Sequence, residues 1–257
     1  MDVPVQVERR DSVLSITLAR PERRNAITVA MYAALADAIE GAANDPTIRL
    51  ITLEGQGEDF TAGNDLGDFI QAMPQPGEAQ DIPVWRLLRA LAKNQVPIIA
   101  AVHGNAVGIG TTMLFHCDFV LAEEGSRFIM PFVDLGLVPE AASSLIFPRL
   151  AGRRRAARYL LLGESFGVAE AMDFGLASHS VPQGGLRIAL NALVAALIAK
   201  PPEALRQTQA LLRREDTQEI LDRMELENGH FAERLQSEEV KQAITAFFAA
   251  RTKAPAA

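Results

Sequence analysis

One carboxylate in this chain stands apart by its surroundings. Glu140 follows Phe132, Leu135, Leu137 and Val138 and precedes the run AASSLIF. A carboxyl among such groups has its charged form disfavoured by desolvation, which raises its pKa toward the range useful for a general base. Upstream, the segment VHGNAVGIG crowds Gly104, Gly108 and Gly110 into the turn between one apolar run and the next. A strand, a glycine-rich turn and a helix N-terminus leave backbone N–H groups bare, and such groups stabilise negative charge. An anion pocket with one acid beside it is the chemistry these residues point to. A second reading of Glu140 stays open on residue types alone, that of an acid favoured at the start of a helix by the helix dipole.

Other constellations are weaker. None of the four histidines pairs at i, i+4 or with a carboxylate in a metal-binding pattern, so no metal is expected, and His103 and His116 read as structural or surface residues. The serines form no GxSxG elbow. The single cysteine, Cys117, lies in an apolar run and reads as a small core residue; it excludes an intrachain disulfide and leaves no cysteine framework for zinc. Gly55 and Gly57 follow a strand, but Phe60 stands where a dinucleotide fingerprint needs its third glycine, which leaves a tight turn or a substrate-contacting loop. Arg153, Arg154 and Arg155 read as a solvated helix face.

The 257 residues, 49% of them apolar, are ample for a real core. A formal net charge of −7 argues against a broad footprint for nucleic acid or an anionic membrane and favours small-molecule chemistry. No apolar run approaches membrane-spanning length, and the alternation of Val3, Val5 and Val7 reads as a strand rather than a signal, so a cytoplasmic location is expected.

The elements that would position these residues follow from periodicity. Strands are expected at 3–8, 13–19, 50–53, 96–102, 118–122, 127–130 and 178–181. Helices are expected from Thr28 as N-cap to residue 44, and at 82–94, 110–116, 143–150, 153–162, 168–174, 186–199, 204–213, 218–235 and 239–252. Residues 71–80, with two prolines and no periodicity, read as a mobile surface loop. The pattern is an α/β core over residues 1–195, holding the site, with a helical C-terminal extension at 196–257.

Over nearly its whole length the chain resembles the crotonase, or enoyl-CoA hydratase/isomerase, superfamily. RPERRNAIT is similar to that family's loop before the first helix, FTAGNDL to its CoA and first oxyanion loop, and HGNAVGIG to its second. The resemblance implies a spiral of strand-strand-helix units closed by C-terminal helices and assembled as a homotrimer or dimer of trimers. It implies an acyl-CoA thioester as substrate, with coenzyme A part of that substrate and no separate cofactor. Carried over by position, the oxyanion donors are the backbone N–H groups of Asn64 and Ile109. Arg23, Ala26, Ala62, Gly63, Asn64, Asp65, Leu66, Gly108 and Ile109 fall at the substrate- and CoA-binding positions. Hydratases of the family use two glutamates, and here those positions are Thr112 and Phe132. Glu140 instead matches the single glutamate of the peroxisomal-type Δ3,Δ2-enoyl-CoA isomerases, which implies an isomerase with Glu140 as proton shuttle. The alternatives are a hydratase in which Asp65 or Asp68 assists Glu140, and a non-catalytic acyl-CoA-binding relative.

Overall fold

The computed structural model describes residues 3–71, 82–213 and 217–253, so most of the loop expected at 71–80 lies outside the described residues. The chain opens with a hairpin of β1 (Val5–Arg10) and β2 (Val13–Leu18), in which Val5 faces Leu18 and Arg10 faces Val13. The first strand ends later than residue 8 because the turn at Asp11, left-handed at φ 55°, closes the ladder only at Arg10. Next comes α1 (Val29–Asn44), capped as expected by the Thr28 hydroxyl, which accepts from the Met31 N–H. Its Met31, Leu35 and Ile39 are buried along one stripe, the spacing of an amphipathic helix.

Then β3 (Leu50–Gly55), α2 (Leu66–Gln71), α3 (Pro83–Lys93), β4 (Ile98–Val102), β5 (Asn105–Val107) and α4 (Ile109–Thr112) bring the chain through the glycine turn. The helix expected at 110–116 is in fact α4 followed by a 3-10 turn at Met113–His116, since Gly108 at φ 55° starts it and the coil tightens toward Cys117. The remainder runs through β6 (Phe119–Glu123), β7 (Arg127–Ile129), α5 (Ser143–Ala151), α6 (Arg153–Leu162), α7 (Val168–Phe174), β8 (His179–Val181) and α8 (Leu186–Ile198). Three further helices end it, α9 (Pro202–Arg213), α10 (Thr217–Leu235) and α11 (Glu238–Lys253).

The main sheet has the order β1-β2-β3-β4-β6-β8 and is parallel from β2 onward. Its central strands β3 and β4 read as largely apolar runs because both faces are covered. Leu50, Ile99, Ala101 and Leu121 pack toward Leu190 and Leu197 of α8. The alternate residues Ile51, Leu53, Ile98, Ala100 and Val102 join α1 and α3 in the larger core. A second, shorter ladder runs beside this sheet: β5 pairs with β7 in parallel, and single bridges extend it at Ile27–Asn64, Thr61–Ala106 and Phe128–Phe166. Each circuit of the chain thus visits a long strand, a piece of the short ladder and a helix. That short ladder escapes sequence reading because its pieces are too brief to show alternation.

The last helices dock on this core through polar and aromatic contacts. Arg213 of α9 donates to the Asp118 carboxylate at 3.0 Å and to the His116 carbonyl at 2.6 Å. Phe231 of α10 meets Trp85 of α3 edge-on at 5.7 Å between ring centres.

Candidate active site

The short ladder sets the loop at 61–64 beside the glycine turn. The Val107 N–H donates to the Thr61 carbonyl at 3.0 Å, and the Thr61 N–H to Asn105 at 3.0 Å. The approach is close enough to require glycine: a Cβ on Gly63, which has φ 84°, would lie 2.6 Å from the Val107 oxygen. Asp59, 5% exposed, fastens the two segments by accepting from the Asn105 N–H at 2.8 Å and its side-chain amide at 2.6 Å. Asn25, fully buried, ties in the loop before α1 by donating to the carbonyls of Gln56 at 2.7 Å and Asp59 at 2.8 Å.

The packing brings the N–H groups of Asn64 and Ile109 onto neighbouring segments. Among the described residues, no hydrogen bond uses the backbone N–H of Asn64 or of Ile109, the first residue of α4. The Asn64 side chain accepts a short hydrogen bond from the hydroxyl of Tyr32, a fully buried residue of α1.

Glu140 is 1% exposed, and its Oε1 has no hydrogen-bond partner among the described residues. Burial, with the carboxylate of Glu227 as the second cause, pushes its pKa up to about 8. Tyr32 lies within electrostatic reach: its pKa is raised by burial and then by the charge of Glu140. The Glu140 charge is thus felt at Tyr32, whose hydroxyl donates to the Asn64 side chain on the first donor loop.

The helix expected at 143–150 is present as α5, but the two residues between it and Glu140 are not helical. A helix starting at Ala141 would have made Glu140 a first-turn acid, but Ala141 and Ala142 are left-handed at φ 61° and 56°, and α5 begins at Ser143. The Ser143 N–H closes on the Glu140 carbonyl at 3.0 Å, giving a tight turn with positive φ at both central residues. Asn–Gly pairs ordinarily take that shape, and an L-residue there costs roughly 1–2 kcal/mol. Contacts from elsewhere hold it. His116, whose pKa burial pushes down to about 4, donates from Nε2 to the Ala141 carbonyl at 2.9 Å. Glu227 of α10, 5% exposed, accepts from the N–H of Ala142 at 2.6 Å and of Ser144 at 2.9 Å.

Glu227 is a second buried acid that sequence reading missed, because nothing local in LDRMELENG distinguishes it from a surface helix glutamate. The only clue was its place on α10 between the buried Met224 and Phe231. Tyr32 was likewise hidden within an apolar stripe. The other acids considered for a second role have structural work. Asp65 caps α2 by accepting from Gly67 and Asp68 N–H groups, each at 3.2 Å, and pairs with Arg20 at 2.7 Å. Asp68 accepts from the Val29 N–H at 2.6 Å.

The remaining candidates sort simply. Thr112 and Phe132 are buried, at 0% and 4% exposure, and neither ionises. Of the positions assigned to CoA, Arg23 is exposed at a 3-10 turn (Pro21–Arg23), Ala26, Ala62, Asp65, Leu66 and Gly108 are half-buried, and Gly63 is buried. Cys117 is half-buried against the core, and burial and then Asp118 push its thiol up to about 12. His103 bonds the Gly57 carbonyl at 2.9 Å.

Over nearly its whole length the chain is similar to known proteins. Residues 8–254 match the enoyl-CoA hydratase/isomerase family. The chain belongs to that family. The 1,2-epoxyphenylacetyl-CoA isomerase of Escherichia coli is 32% identical over 93% of each chain. The enoyl-CoA delta isomerase 2 of Rattus norvegicus is 31% identical over 97% of this chain and 64% of its own. The 2,3-dehydroadipyl-CoA hydratase of Escherichia coli is 32% identical over 96% of each. A solved enoyl-CoA hydratase/isomerase of Pseudoalteromonas atlantica superposes with a TM-score of 0.90 at 38% identity, covering 99% of this chain and 100% of that one. The fold is thus the crotonase spiral with a C-terminal helical region, and the protein is an acyl-CoA enzyme of the hydratase/isomerase family.

Proposed function

We infer that the chain is a Δ3,Δ2-enoyl-CoA isomerase in which Glu140 carries one proton from C2 to C4 of the acyl chain. The observation that carries this reading is the buried Glu140 carboxyl, its pKa raised to about 8 and electrostatically coupled to Tyr32, which bonds Asn64 of the first donor loop; among the described residues its Oε1 has no partner and the N–H groups of Asn64 and Ile109 have no acceptor. Removing the C2 proton of a 3-enoyl thioester gives a dienolate whose charge rests on the thioester oxygen. The N–H groups of Asn64 and Ile109 would receive that oxygen, and each such donor is worth roughly 3 kcal/mol in comparable sites. Returning the same proton at C4 leaves the double bond at C2–C3, with no net gain or loss of atoms.

A single mobile proton suits this site better than hydration does. Water addition needs a second group aimed at the nucleophile, yet Asp65 and Asp68 are spent on helix caps and both Glu227 oxygens are spent on backbone N–H groups. In this reading CoA lies along Arg23, Ala26 and the segment from Ala62 to Leu66, with Gly108 flanking Ile109, and the working assembly is a homotrimer or a dimer of trimers. The 32% identity to an epoxyphenylacetyl-CoA isomerase supports a second reading, isomerisation of a ring-bearing acyl group by the same acid and donors.

The test is Glu140→Gln assayed on a 3-enoyl-CoA. Loss of the positioned base is expected to lower kcat by about 10²–10⁴-fold, with acyl-CoA affinity retained. Near-normal turnover in that variant would overturn the reading. Hydration of 2-enoyl-CoA by the wild-type protein as fast as isomerisation would favour a hydratase, and tight binding with no exchange of C2 protons into heavy water would favour a non-catalytic relative.

A further inference from the structure

We propose that Glu227 is a positioning residue for Glu140, its carboxylate bridging the N–H groups of Ala142 and Ser144 and so holding the left-handed turn that sets the Glu140 side chain in the site. The kinetic part of this proposal rests on Glu140 being the base.

The argument starts from backbone energetics. Two consecutive alanines at positive φ cost roughly 1–2 kcal/mol each and persist only where neighbours over-determine them. Here His116 holds the Ala141 carbonyl at 2.9 Å, and Glu227 holds the next two free N–H groups, at 2.6 and 2.9 Å. Those N–H groups belong to the start of α5, where a negative charge is favoured. The acid that fills this role comes from α10, which frees Glu140 to point elsewhere.

The same arrangement couples two charges. Glu140 and Glu227 sit on either side of one tight turn, and like charges so placed do not both ionise freely. Glu227 has two N–H donors, while Glu140 Oε1 has none among the described residues, so the first negative charge settles on Glu227. Glu140 then keeps its proton to higher pH. The other groups around the turn do not take over this part. Arg223 of α10 reaches the Ser144 hydroxyl at 3.3 Å and faces Glu227. The Tyr32 hydroxyl, raised in pKa, stays neutral. His116 is uncharged above about pH 4, and beyond it Arg213 pairs with Asp118 at 3.0 Å.

The test compares wild type with Glu227→Gln, and uses Glu219→Gln, an exposed acid of the same helix paired with Arg149, as the control for a general charge effect. Two quantities are read. One is the pH dependence of kcat on a 3-enoyl-CoA. The other is an infrared titration of the buried carboxyl band that disappears in Glu140→Gln, which needs no activity. In Glu227→Gln the acidic limb of the kcat profile and the infrared midpoint are expected to move down together by about one pH unit, with the kcat plateau lower by about tenfold, KM little changed, and the control unmoved. A structural effect alone would lower the plateau without moving either midpoint. If Glu227→Gln fails to fold, Glu227→Gln combined with Ala142→Gly keeps the turn accessible without the clamp, and the same shift is expected. An infrared midpoint and acidic limb unmoved by loss of the charge would overturn the proposal. A normal rate in Glu140→Gln with a shifted infrared midpoint would instead reject Glu140 as the base and leave the coupling to Glu227 standing.

Discussion

The site is bounded by two sharp turns built on opposite principles. At the glycine turn, residues without a Cβ allow backbone to approach backbone: a Cβ on Gly104 would lie 2.0 Å from the Glu58 oxygen, and one on Gly110 would lie 2.4 Å from a Thr61 methyl. At the Glu140 turn, alanines take the left-handed conformation and contacts from α10 and from His116 keep them there. One turn is specified locally. The other is specified by partners distant in sequence, and this makes the acid it carries sensitive to the rest of the fold.

The sharpest way to expose that sensitivity is the pH dependence of stability. Glu140 rises from an ordinary 4.5 to about 8 on folding, so between those values the unfolded chain ionises this group while the folded chain keeps it neutral. Below 4.5 both states hold the proton and no cost arises; the cost grows as pH rises and levels off above 8. Glu140→Gln is therefore expected to match wild type in acid and to be more stable by on the order of 4 kcal/mol above the upper value, read from urea unfolding across the range. Equal stability of the two proteins at high pH would show that the carboxyl is not held neutral.

The glycine turn should fail for steric reasons at any pH. Gly104→Ala forces a methyl against the Glu58 carbonyl and against Asp59, which fastens the turn, and is expected to cost about 3 kcal/mol. Gly108→Ala, where nothing lies within 4 Å of the added Cβ but the backbone at φ 55° and ψ −119° lies outside the left-handed well, is expected to cost about 2 kcal/mol. The contrast between these two in thermal melting separates close approach from backbone strain. The smallest effect belongs to the alanine turn: Ala142→Gly relieves strain but loosens the unfolded chain, and the net change should stay within about 1 kcal/mol. Its benefit should grow when Glu227 is replaced by Ala, because the clamp it substitutes for is then missing.

These two turns also show where sequence reading succeeds. The glycines of HGNAVGIG announce their turn by composition, as Thr28 announces α1, and the continuous apolar runs of β3 and β4 reveal strands covered on both faces. The seclusion of Glu140 was legible from its apolar neighbours. Its turn was not, because nothing in an alanine pair announces positive φ, and the groups that hold the turn belong to His116 and Glu227. Glu227 itself looks like any solvated helix acid until α10 is laid across the core. Local propensity loses to tertiary contacts at this site, where residue types alone would have predicted a relaxed backbone.

The position of α10 near the end of the chain has a consequence for how the protein is made. Synthesis proceeds from the N-terminus, and the donor loops, the glycine turn and Glu140 all leave the ribosome before Glu227 and Phe231 do. Until Glu227 settles against Ala142, Glu140 lacks its charged neighbour. The charge of Glu227, the second cause of the raised proton affinity of Glu140 after burial, thus joins the site later than the residues it acts on.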